Sequence, residues 1–515
     1  MNYGKLLRYW AKVDIFIYIF AHYRRFFREK VVTLRQKQEY MQNSIIGRKE
    51  EIALLEKYMS SNHSEFIAIY GRRRVGKTFL IRQYFQNQFA FDMTGIIEGK
   101  KAEQMTAFGH ALKQYGYKGR KPATWLDAFF ALRGLLEQKI EQGKPCVVFI
   151  DEMPCLDTPK SGFVHALGHF WNSWAAWQAE IKLIVCGSAT SWMVRNIIDN
   201  HGGLHDRVTH EMALKPFTLS ETEEYFQAYG FPWSRLSVLH TYMAVGGVPY
   251  YLSLFNPDES PAQGIDRLFF SENGELQKEY RRLFASLFRN PEPYLAVIKL
   301  LAAKPSGMTR EEIREQLGGN NNGHLGDLLT DLVYCDFLRQ YKVREKKVKT
   351  NSSIYKLVDF YTLFYHSFIG KASMNTSYWT RLQGTPTVNT WLGLAYERVC
   401  MAHVSQIKKA LGIGSVVTEA YSWRSKDSEH PAQIDLLIER ADKMINLCEI
   451  KYSETEYSLS QEEYLNIGRR VESFRAAIQT HYGIVPTLIT TFGLSRGMYT
   501  DSIHASVVLD DLFSN

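Results

Sequence analysis

"FIAIYGRRRVGKTFLIRQYF", residues 66–85, decides how this chain is read. An apolar, strand-like run is followed by a glycine-bounded turn and then by a segment with helical periodicity. The middle, "GRRRVGKT" (Gly71 to Thr78), matches G-x-x-x-x-G-K-[ST] and lies between a strand and a helix, the placement its mechanism requires. Backbone N–H groups of Gly71, Arg72, Arg73, Arg74, Val75 and Gly76, with the N-terminus of the helix behind them, can cradle phosphates. Lys77 can reach the terminal phosphates and Thr78 can ligate Mg²⁺. A nucleotide is therefore the expected ligand.

Working outward, "CVVFIDE" (146–152) is an apolar strand that ends in two acids. Asp151 can serve the Mg²⁺ shell and Glu152 can orient an attacking water. Ser188, after the strand "KLIVCG", can sense a terminal phosphate or simply cap the next helix, and Arg207 is a candidate arginine finger in cis or trans. Strands alternating with helices predict an α/β fold with a parallel sheet, a P-loop NTPase core over 41–215. Residues 216–290 lack strand signals and read as a helical lid. Over 291–365, three helical segments and two strand-like runs predict a winged helix, in which Thr309 and Glu312 have capping-box spacing. Its third helical run, "HLGDLLTDLV", carries Asp327 and Asp331 and no Lys or Arg, the wrong sign for a helix that reads DNA. The charged turn beyond it (Lys342, Arg344, Lys346, Lys347, Lys349) can still touch phosphate. Residues 366–515 read α-β-β-β-α-β.

In this order, "IIGRKEEIALL", "IYGRRRVGKT", "FIDE", "CGSATSWM" and "GGVPYYL" make residues 43–255 resemble the archaeal-type ATPase family of the AAA+/STAND P-loop class. The resemblance implies ATP rather than GTP, with Gly47 and Arg48 near the adenine. It also implies that Gly246, Gly247 and Pro249 form a nucleotide-sensing turn of the lid. Members of this family often carry a C-terminal domain similar to PD-(D/E)xK nucleases, and 366–515 resembles it. The motif is then Asp435, Glu449-Ile450-Lys451, and Glu397 from the preceding helix.

That implication meets a geometric condition. In a hairpin centred on Asp442, partner numbers sum to 884 and Asp435 falls opposite Glu449. Facing carboxylates repel unless something compensates, and a divalent cation would do so. Asp435 and Glu449 are thus expected metal ligands and Lys451 a group that positions water. An ordinary salt-bridged strand is the alternative.

Composition narrows the classes. The formal charge of +8 is concentrated in residues 1–40, where nine Lys/Arg face three Asp/Glu; the other 475 residues carry only +2. Global basicity is therefore no evidence for DNA binding, and DNA is a candidate partner only through a local groove. Six cysteines without a C-x-x-C pair suit a reducing, cytoplasmic setting. The N-terminal apolar run is interrupted by Lys12 and Asp14, and is read as a basic extension rather than a membrane segment, with the ordered chain starting near Met41. ATP, Mg²⁺ and a second copy of the chain complete the expected partners. The function expected is an ATPase whose nucleotide state controls a nuclease-like module; a non-cleaving scaffold or a STAND-like signalling switch is the rival.

Overall fold

The computed structural model describes residues 45–200, 202–319, 322–342, 353–369, 377–425, 432–500 and 503–514. The 1–40 extension and the charged turn from Arg344 to Lys349 lie outside the described residues. Among the described residues no helix is long and apolar enough to cross a membrane.

The first unit is a five-stranded sheet of β1 (Glu65–Tyr70), β2 (Phe91–Thr94), β3 (Cys146–Asp151), β4 (Ile181–Gly187) and β5 (His210–Ala213). All pairs are parallel and the order is β2-β3-β4-β1-β5. β3 and β4 are buried along their whole length, as a strand with helices on both faces must be. Phe66 and Ala68 of β1 pack with the helices Lys101–Gln114, Trp125–Leu136 and Phe163–Ser173, whereas Ile67 and Ile69 pack with Lys49–Met59 and Lys77–Tyr84. β2 ("FDMT") and β5 ("HEMA") are edge strands too short and polar to stand out in the sequence.

Beyond Phe217, one apolar cluster runs from the helices Leu219–Ala228 and Arg235–Val245 through to Phe513. It crosses the boundaries near 290 and 365. The helices Glu292–Ala302, Arg310–Gln316 and Asn322–Tyr334 pack with an antiparallel sheet of β6 (Met308–Thr309), β7 (Leu338–Lys342) and β8 (Ser353–Leu357), ordered β6-β8-β7. Thr309 caps the middle helix, its hydroxyl accepting Glu312 N–H at 3.2 Å.

The C-terminal unit begins with the helix Pro386–Ala402, which breaks at His403 before Val404–Ala410. Its sheet, ordered β13-β12-β11-β10-β9, comprises β9 (Thr418–Arg424), β10 (Gln433–Arg440), β11 (Met444–Lys451), β12 (Gly483–Thr490) and β13 (Ala505–Val507). The helix Gln461–Ile478 packs Phe474 against one face of it, with Leu437 and Leu447. β10 and β11 pair Leu436 with Cys448 and Leu437 with Leu447, the register that sums to 884.

The P-loop is tied to this second half by a buried ion pair. Arg72 and Asp359 have side chains 2% and 3% exposed. Burial opposes the Arg72 charge, but Asp359 outweighs it and raises the guanidinium's basicity. Asp359 also caps the helix Phe360–Phe368 by accepting Thr362 N–H at 3.0 Å. Asp359→Ala leaves a buried cation unpaired and removes a cap, so it should cost about 3–5 kcal/mol in urea denaturation. An Arg72→Met/Asp359→Leu double variant should lose markedly less than Asp359→Ala alone.

Candidate functional site

At the carboxyl end of β1 the chain turns at Gly71, where an added Cβ would lie 2.2 Å from the Leu214 carbonyl oxygen. Only glycine fits there. Gly76 has open space around it, but its φ of +92° is in the region that favours glycine. Lys77 is buried and donates from Nζ to the carbonyls of Gly71 (2.7 Å) and Arg72 (3.1 Å), so its ammonium lies across its own loop. Burial lowers its pKa. Thr78 Oγ1 donates to Asp151 Oδ2 at 2.8 Å. Asp151 is itself buried, which raises its pKa, while the Thr78 hydroxyl pulls the other way.

Glu152 follows with φ +44°, a left-handed conformation uncommon for a side-chain-bearing residue. Its Oε2 accepts the N–H of Ser188 (3.2 Å) and its hydroxyl (2.8 Å). The two groups read from separate motifs thus meet directly at the ends of β3 and β4.

Lys77, Thr78, Glu152 and Ser188 face a cavity of about 470 Å³ that Ile45, Arg48, Arg73, Tyr225, Pro249 and Tyr250 help to line. Arg48 donates from Nη2 to the Val75 carbonyl at 3.1 Å and lies over the Phe217 ring. Its N–H is held by Glu221 Oε1 at 2.9 Å, and Glu221 leaves no room for a Cβ at Gly47. At Gly247 a Cβ would be 1.9 Å from the Phe217 carbonyl oxygen, so this turn and the segment between β5 and the helix Leu219–Ala228 are in backbone contact. Tyr225 and Glu221 had no local motif to mark them.

The Arg72 side chain does not line this cavity; it runs to Asp359, while its carbonyl accepts from Lys77. Arg207 is exposed and lies outside the lining residues, in a turn that is anchored to the core through the buried Leu204.

The C-terminal motif residues divide between two cavities. Glu397 and Asp435 line one of about 270 Å³, shared with Arg72, Lys356 and Asp359. The register of β10 against β9 shifts between Ile434 and Leu437, an irregularity of the kind that re-aims a side chain. Asp435 Oδ1 accepts Gln433 Nε2 at 2.8 Å. Glu449 and Lys451 line a separate small cavity with Glu463 and Arg470. Lys451 Nζ is 3.1 Å from Glu449, and Arg470 makes a shorter ion pair to the same carboxylate. The Glu449 carboxylate is therefore compensated by protein cations, whereas Asp435 has a neutral partner. Among the described residues no group of three or more His, Cys, Asp or Glu can hold a metal ion.

Against this geometry stand the comparisons. Residues 45–255 match the family described as an ATPase domain predominantly from Archaea, so the chain carries an archaeal-type ATPase domain. The uncharacterized protein MJECL04 of Methanocaldococcus jannaschii is 24% identical over 418 residues, 79% of this chain and 88% of the relative. The uncharacterized ATP-binding protein MJ0423 of the same organism is 46% identical over 43 residues, 8% of this chain and 73% of the relative. Similar solved structures include the Walker-type ATPase PABY2304 of Pyrococcus abyssi (18% identity, TM-score 0.43, 62% of this chain and 96% of that one). The Aeropyrum pernix ORC2 protein in ADPNP–ADP complexes is another (13%, 0.36, 63% and 93%).

Burial, then the nearby Asp435 charge, pushes the Glu397 carboxyl from its ordinary 4.5 up to about 7. An acid with a raised folded pKa binds more protons in the native state, so stability falls as pH rises between those two values. Glu397→Gln should be more stable than wild type by about 3 kcal/mol at most at pH 8. The gap should close near pH 4.5, as read by urea denaturation across pH.

Proposed function

We propose that this chain binds and hydrolyses ATP and that its nucleotide state sets the arrangement of its C-terminal half. The observation that carries the reading is the meeting of Lys77, Thr78–Asp151 and Glu152–Ser188 at one end of the parallel sheet, around a cavity large enough for a nucleotide. Thr78 and Asp151 are suited to hold Mg²⁺, which when bound offsets phosphate charge. The loop N–H groups and Lys77 bind phosphate, and Lys77 must leave the Gly71 and Arg72 carbonyls to do so. Glu152 orients water once Ser188 releases it, and Ser188 is freed to donate to the terminal phosphate. Pro249 and Tyr250 close the cavity from the lid, with Gly47 and Arg48 at its base side. Arg207, exposed as it is, acts as a finger only on a neighbouring copy.

Lys77→Ala should abolish ATP binding by calorimetry without loss of fold. Glu152→Gln should bind ATP yet turn over at least about 10²-fold more slowly. Wild-type turnover in that variant would move the catalytic role to another residue.

A second reading assigns 291–365 as a winged helix and 366–515 as a nuclease-like module acting on DNA through Glu397, Asp435, Glu449 and Lys451. The helix and strand order and the 884 register support it. The cations on Glu449 weigh against a metal-loaded site in this arrangement, and no catalytic step is assigned there. Plasmid incubated with Mg²⁺ or Mn²⁺, with and without ATP, should be cut by wild type and not by Lys451→Ala. Intact plasmid under every condition would leave the non-cleaving switch as the reading for this unit.

A further inference from the structure

Arg72 is not the only P-loop arginine engaged outside the nucleotide site. Arg74 lines the nucleotide cavity, in a left-handed conformation with φ +73°. Its guanidinium makes a two-pronged pair with Glu279, Nε to Oε1 at 2.5 Å and Nη2 to Oε2 at 3.0 Å. It also stacks 3.8 Å over the ring of Tyr250, itself a wall of the cavity.

Glu279 is only 4% exposed, on the helix Glu275–Leu287. That helix is bound to its neighbour Phe360–Phe368: Tyr280 stacks on Tyr365 at 4.2 Å and shares a 2.8 Å hydrogen bond with His366, and Tyr361 Oη donates to the Leu276 carbonyl at 2.6 Å. Asp359 at the start of the neighbour holds Arg72. One pair of packed helices therefore grips the phosphate loop by two of its arginines.

The two grips differ. Arg72 is wholly buried and away from the nucleotide cavity, so phosphate does not compete for it. Arg74 is part-exposed and inside the cavity, where a guanidinium fits phosphate oxygens as well as it fits a carboxylate. We propose that Arg74–Glu279 is a nucleotide-operated latch. Terminal phosphates draw Arg74 off Glu279, and the buried carboxylate, left without its cation, obliges the helix Glu275–Leu287 to shift or open. Since that helix is packed into the cluster continuous with the C-terminal unit, the latch carries nucleotide state out of the ATPase domain. It rests on the ATP-binding reading above.

Hydrogen–deuterium exchange of the full chain, with and without a non-hydrolysable ATP analogue, tests the latch. Peptides covering 275–287 should exchange several-fold faster with the analogue in wild type, and should not respond in Lys77→Ala. Calorimetry on the same samples separates the two readings. No binding overturns the ATP reading and the latch with it; binding with unchanged exchange at 275–287 overturns the latch alone. Glu279→Gln removes the competitor for Arg74 and should tighten analogue binding about tenfold, within the usual range of coupling between sites. A folded Glu279→Gln protein with wild-type or weaker affinity makes the pair a structural brace. If that variant does not fold, the wild-type exchange result still decides.

Discussion

The buried pair Arg72–Asp359 is the constraint around which the two halves are arranged. A charge as deep as Arg72 is tolerable only with an opposite charge in contact, so a residue of the phosphate loop dictates where the start of the helix Phe360–Phe368 must lie. Asp359 serves both ends of that requirement, as counter-ion to Arg72 and as cap to its own helix. Nε and Nη2 of Arg72 are buried without a hydrogen-bond partner, so beside the Phe337 ring under the guanidinium the ion pair to Asp359 is what compensates that cation.

Around it the ATPase domain touches the remainder through several polar contacts. Ser188, bound to Glu152, precedes the segment Thr190–Ile198, in which Arg195 reaches Asp331 at 2.7 Å; Asp331 also accepts from Tyr294 Oη. The acidic helix that looked unsuited to DNA thus uses one of its acids as an internal contact to the segment that follows Ser188. On the other side, Leu219 N–H, at the start of a lid helix, donates to His403 Nε2 at 3.0 Å. His403 is buried, which drives its pKa down to about 4, and it sits where the helix Pro386–Ala402 breaks. Neutral histidine is the form that accepts this bond, with the proton on Nδ1 facing the Val399 carbonyl.

The C-terminal carboxylates show how the same residues change meaning with their neighbours. Glu449 lies under two cations, whereas Glu397 shares a cavity with Asp435 and with Lys356, whose own pKa burial lowers. Acid pairs that are pushed toward different protonation states often mark functional sites, yet structural ion-pair networks produce the same pattern. Here the cavity also contains Arg72 and Asp359, so the electrostatics of the C-terminal unit and of the phosphate loop are contiguous.

What the sequence determined by itself is what local spacing controls. The phosphate loop, the Thr309 cap and the β10–β11 register all follow from short-range geometry: a loop between a strand and a helix, a capping box, a hairpin of known centre. Short polar edge strands such as β2 and β5 escaped, since four residues carry too little periodicity to be seen. The partners of the arginines were beyond reach for another reason. Asp359 lies 287 residues from Arg72, Glu279 lies 205 from Arg74, and Arg470 reaches Glu449 from the next helix. No pattern within a window of twenty residues records such meetings. Which carboxylate keeps its charge, which arginine leaves the nucleotide cavity and which acid acquires a protein cation depend on packing of distant segments into one core, and only the tertiary structure decided them.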